Sequence, residues 1–168
     1  MKAILCAAVL GFGFAGPAMA QTQVSWYALN DNGHWCRYPT EKAWLDSNGH
    51  ESATVDRRSG QVIAVHVNES DDSGDWTAND DYIVANGKLI GLRRRYNTFD
   101  HGEVALVESW RRVGTHWVRT QRSLSDFSGD HARKDDPAIV YPFKKVERLE
   151  DFGFARLLKG EAKAKTCL

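Results

Sequence analysis

The chain has 168 residues, with Lys plus Arg and Asp plus Glu balanced at 22 each. Such a balance argues against nucleic acid or an anionic membrane surface as the principal partner. Roughly 150 residues after a leader suffice for one domain with a sizeable core.

The chain opens with Met1-Lys2, an apolar run over 3–14 and a small-residue ending, Ala18-Met19-Ala20. A charged start, a short apolar stretch and an Ala-x-Ala site are the marks of a cleaved secretory signal. The run is well short of the roughly 20 apolar residues of a spanning helix, which argues against a membrane anchor. Residues 1–20 are therefore expected to be removed, leaving 21–168 as a single β-rich domain in the periplasm or outside the cell. Cys6 lies inside the apolar run, too near the start to be a lipidation site, and its loss leaves Cys36 and Cys167. In an oxidising compartment these two are expected to pair, with two free thiols or an intermolecular bridge as the alternatives.

From residue 24 onward, alternating apolar and polar residues dominate, broken by turn chemistry. Strands are expected over 24–29, 33–38, 52–56, 61–68, 76–84, 88–99, 103–113, 116–124 and 140–146. Asn86-Gly87 is the clearest turn, because a two-residue hairpin needs positive φ at both centres. Arg57-Arg58-Ser59-Gly60, Asp100-His101-Gly102 and Gly114-Thr115 mark others. A short helix is expected over 40–47, after Pro39 and before Asn48-Gly49, and a second is a candidate over 147–158. The fold class is all-β with minor α: an antiparallel up-and-down meander of eight or nine strands, forming a barrel or half-barrel.

The turns also set a register. With Phe99 opposite Glu103, Arg94 faces Glu108, Leu92 faces Trp110 and Tyr96 faces Leu106; with Val113 opposite His116, Trp110 faces Arg119 and Glu108 faces Gln121. Cross-strand neighbours share a face, so Arg94, Tyr96, Glu108, Trp110, Trp117, Arg119 and Gln121 are placed inside with the large hydrophobes. A slip of one residue would reverse these assignments. The plainer interpretation of this set is an Arg94–Glu108 salt bridge with Arg119 lying on Trp110. The sharper one is a cavity, since an inward arginine held by a carboxylate among aromatic rings suits an apolar or anionic ligand. Arg94 and Tyr96, two apart on one face, resemble the Arg-x-Tyr pair of the fatty-acid-binding and lipocalin-like barrels. The likeness covers those two residues and the meander.

Arg93, Arg95, Arg111 and Arg122 fall on the opposite face, where they form either a basic patch or simply a solvated side. The six histidines, His34, His50, His66, His101, His116 and His131, lack zinc-site spacing. The run Asp71-Asp72-Ser73-Gly74-Asp75 lacks the terminal Glu of a calcium hand. No metal, cofactor or catalytic residue is expected, for want of a nucleophile elbow, a phosphate loop or a dinucleotide fingerprint. Trp26, Tyr27, Trp35, Tyr38 and Trp44 make the N-terminal segment aromatic, suited to closing a core or to a contact surface.

Two functions compete. The first is an exported binding module holding a small apolar or anionic ligand inside. The second is a periplasmic protein-interaction or enzyme-inhibitor module acting through the loops 68–75 and 125–136.

Overall fold

Turn residues punctuate the chain as their chemistry demands. Asn86 and Gly87 both take positive φ, 51° and 71°, the pairing a tight hairpin needs to match strand twist. The computed structural model describes residues 21–47, 49–159 and 164–168; the leader at 1–20 lies outside the described residues. Its strands are β1 (Gln23–Leu29), β2 (Trp35–Tyr38), β3 (Glu51–Arg58), β4 (Gln61–Ser70), β5 (Trp76–Ala85), β6 (Lys88–Thr98), β7 (Val104–Val113), β8 (His116–Asp126), β9 (Ala132–Arg133) and β10 (Thr166–Cys167). They form one antiparallel sheet in the order β10-β2-β1-β3-β4-β5-β6-β7-β8-β9. The sheet is an open up-and-down meander, so β10 and β9 lie at its two edges.

Helix α1 (Glu41–Leu45) starts where Thr40 Oγ1 accepts the Ala43 N–H at 3.2 Å, a side-chain N-cap. It stands against β1, and Trp44 Nε1 donates to the Tyr27 carbonyl at 2.9 Å. Beneath it lies a small cluster of Ala28, Cys36 and Tyr38, with Trp26 and Trp44 against it. Cys36 in this cluster is joined to Cys167 by a disulfide, which fixes β10 beside β2.

The main core lies on the other, concave face. Tyr27, Val55, Val65, Tyr82 and Leu92 supply its floor, and Phe152, Phe154 and Leu157 its cover. That cover differs from the strand expected at 140–146, while the candidate helix at 147–158 is met by short helical turns. Residues 140–146 are irregular, and the later stretch is two 3-10 turns, Leu149–Asp151 and Ala155–Leu158. The apolar residues of this segment alternate because it lies over the inner face as a strap, not because it pairs as a strand. Val146 N–H, for example, donates to the Tyr82 hydroxyl at 2.9 Å rather than to a neighbouring strand. At Gly153 the strap lies against β2: a Cβ there would collide with Trp35 Nε1.

The register agrees with the turn-based one along β6 and β7, where Arg94 faces Glu108, Leu92 faces Trp110 and Tyr96 faces Leu106. Between β7 and β8 it holds only as far as Trp110 opposite Arg119, and then shifts at a bulge between Ser109 and Trp110. Beyond that bulge Glu108 faces Arg122, and Gln121 faces Ser109. Gln121 is thus corrected to the exposed outer face and Arg122 to the inner one, because one extra residue reverses a strand's facing.

Candidate functional site

Arg94 is the most enclosed charged residue of the sheet, 2% exposed. A tight Asn86-Gly87 hairpin of constant register would put Asn79 opposite it. A second bulge, between Ile83 and Val84, sets Asp80 there instead. The guanidinium then binds Asp80 with both arms, Nε to Oδ1 at 2.9 Å and Nη2 to Oδ2 at 2.8 Å. Its third nitrogen, Nη1, donates to the Phe143 carbonyl of the strap at 3.0 Å. Tyr141 closes the remaining side, its ring 3.6 Å from the guanidinium carbon and its hydroxyl donating to Asp80 Oδ1 at 2.5 Å. Tyr82 adds a hydrogen bond to Asp80 Oδ2 at 3.2 Å. Every arm of the buried pair is thus met by protein, as a buried charge pair requires. Burial opposes the charge on Arg94, but the Asp80 carboxylate prevails and raises its pKa. Burial and the Asp80 charge likewise raise Tyr82 and Tyr141, keeping both phenols neutral.

Glu108 does not bind Arg94 in this arrangement; it has its own partners on β7 and β8. Its carboxylate is buried and accepts from Arg119 Nη1 at 3.0 Å, Arg122 Nη1 at 3.2 Å and Trp110 Nε1 at 3.2 Å. Arg119 lies over the Trp110 ring at 5.7 Å as expected, and Lys145 of the strap approaches the same ring at 3.9 Å. Trp117 packs edge-on against Tyr82 at 6.4 Å. Tyr96 packs against the cluster of Val104, Leu106, Leu124 and Ile139. The expected inner set therefore assembles apart from Gln121, but around two separate ion-pair centres, with strap residues laid across it.

The expected outer patch is likewise divided. Arg93 and Arg111 are exposed on the convex face. Arg95 is drawn to Asn97 and to the Phe127 carbonyl, and Arg122 points inward to Glu108, Asp135 and the carbonyls of Asp136 and Ile139. On the same convex face His66 sits between Asp81, at 2.8 Å, and Asp56, at 3.6 Å. Its hydrogen bond to Asp81 raises its pKa against the opposing effect of burial.

Where the strap leaves the concave face open, the lining is acidic. Glu51 and Glu69 are cross-strand partners on β3 and β4 and are shared by two clefts of about 260 and 190 Å³. Burial, then the charges of Glu51 and Asp80, push Glu69 up to about 7 against the pull of Arg94. Burial also raises Glu51.

The loops are internally braced. In 68–75, Asp71 accepts the Trp76 N–H at 3.1 Å. In 125–136, Asp126 Oδ1 accepts N–H groups of Gly129 at 2.8 Å and Asp130 at 3.1 Å, while Oδ2 meets His131 Nδ1 at 2.7 Å. Bonds to His131 and Ser128 hold the Asp126 carboxyl well below the usual range. Among the described residues no group of three or more His, Cys, Asp or Glu is placed to hold a metal ion, and no helix is long and apolar enough to cross a membrane.

Asp80, Tyr141, Phe143 and the Glu51–Glu69 pair escape the sequence. Gly91 was the one available signal for the first, since a glycine inside a strand often marks a bulge. No protein-family model matches the chain, and no curated protein or solved structure shows significant similarity to it.

Proposed function

We propose that the protein is an exported interaction module, a β half-barrel that fills its own interior and contacts another protein through its surface. The observation that carries this reading is the seal over Arg94. Tyr141, Phe143 and Asp80 occupy the positions an anionic apolar ligand would need. The first of the two sequence-based functions would require the strap to leave. Loops 68–75 and 125–136, held in shape by Asp71 and Asp126, suit recognition because an ordered loop loses less conformational entropy on binding. Export is supported by the Cys36–Cys167 disulfide, which suits an oxidising compartment, and by the leader-like composition of 1–20.

Native mass spectrometry of the gently purified, oxidised protein tests this reading. The expected spectrum is the bare chain. A retained small-molecule mass would overturn the interaction module and restore the interior ligand.

A further inference from the structure

Among the described residues, the outer edge of β8 is the longest stretch of strand backbone that the sheet leaves unpaired. On that side β9 pairs only with Leu124 and Ser125. Residues 116–123 have no strand partner there among the described residues, although β7 pairs with them on the other side. Their outward N–H and C=O groups form a template for one more strand. The bulge at Ser109/Trp110 places Thr120 as the extra residue on β8, and such a bulge commonly limits indiscriminate edge pairing. A short guest strand can still align along 116–119.

We infer that this edge receives an extended acidic segment of a partner protein as an added antiparallel strand. This deepens the interaction-module reading and rests on it. The chemistry of the guest follows from charge. Residues 109–122 contain Arg111, Arg112, Arg119 and Arg122, with His116, and no Asp or Glu. Arg122 and Arg112 are engaged within the chain, by Glu108 and Asp135 and by Glu147 respectively. Arg119 keeps 47% of its side chain exposed while it holds Glu108, and Arg111 and Arg93 stand exposed on the convex side. Glutamates at alternate positions of a guest would meet Arg119 along the inner side, and Val118, 41% exposed, offers an apolar contact on the other. A second copy of this chain is a poor guest, because residues 116–123 hold no Asp or Glu to set against Arg119 in an antiparallel self-pairing.

The test uses the oxidised protein and two eight-residue peptides, one alternating glutamate with valine, the other lysine with valine. Amide resonances report both affinity and place of binding. The glutamate peptide should bind about tenfold more tightly than the lysine peptide, weaken as salt is raised and protect amides within 116–121 from exchange. Arg119→Gln should lose most of that preference while keeping the fold, since Arg122 and Trp110 still satisfy Glu108. Equal binding of the two peptides, protection elsewhere than β8, or no binding by a protein that is bare in the mass spectrum would each overturn the edge. A protein carrying an interior small molecule would instead remove the reading beneath it.

Discussion

Glu69 shows how one carboxyl can tie stability to pH. Its pKa is pushed up to about 7 in the folded chain from an ordinary value of 4.5. The folded state therefore holds this proton more tightly than the unfolded state does. Stability is untouched below about pH 4.5, declines as pH rises towards 7 and levels off above it. The full shift would correspond to about 3 kcal/mol, but the side chain is only half-buried and solvent screening reduces this to about 1–2 kcal/mol. Glu69→Gln should raise the unfolding free energy by that amount at about pH 8 and leave it nearly unchanged at about pH 4, as read by urea denaturation at both pH values. His66 works in the same direction. Its raised pKa contributes stability that is present below about 6.5 and is lost as pH climbs through the folded-state value.

At the scale of elements, the hairpins were legible because their turns are made of residues with few alternatives. Asn86-Gly87 and Asp100-His101-Gly102 fix where β5, β6 and β7 reverse, and the Arg94–Glu108 register follows. Two of the three bulges, those on β5–β6 and β7–β8, each moved a charge, and turn chemistry alone did not place them. One brought Asp80 opposite Arg94, and the other exchanged Gln121 for Arg122. A bulge depends on twist and on what lies over the sheet, and local composition specifies neither. The strap was misread for a related reason: its alternating apolar residues match a strand pattern, whereas the hydrogen-bond partners that exclude a strand lie far away in sequence, on β5 and β6. Gly153 is a tight position of the strap. Gly153→Ala would force Trp35 or the strap to move, at a cost of about 1–3 kcal/mol. Thermal unfolding would show the loss, and Trp35 fluorescence should change with it because that ring packs edge-on against Phe154 at 4.9 Å.

For the whole molecule, a balanced net charge conceals a division across the sheet. On β3 to β5, Glu51, Asp56, Glu69, Asp80 and Asp81 outnumber Arg57 and Arg58, while on β6 to β8, Lys88, Arg93, Arg94, Arg95, Arg111, Arg112, Arg119 and Arg122 outnumber Glu108 and Asp126. The pairings across the boundary, Asp80 with Arg94 and Asp81 opposite Arg93, link the two halves. The disulfide acts at the same scale, spanning 131 residues of sequence. In the chain-entropy model a loop of that length contributes about 5 kcal/mol. Replacing both Cys36 and Cys167 by serine should lower the denaturation free energy by up to that amount, measured against the oxidised protein. A loss below about 1 kcal/mol would show that pairing with β2 alone holds β10 in place.

The same bond has a mechanical consequence. Because Cys36 and Cys167 are linked, every residue between them belongs to a covalent ring that contains β3 to β9 and the strap. Tension applied at Gln21 and Leu168 would bypass that ring. Only the stretch through β1 to Cys36 and the final residue could be drawn out, roughly 60 Å of extended chain at about 3.5 Å per residue. A protease cut inside the ring would likewise leave one molecule rather than two fragments until the bond is reduced.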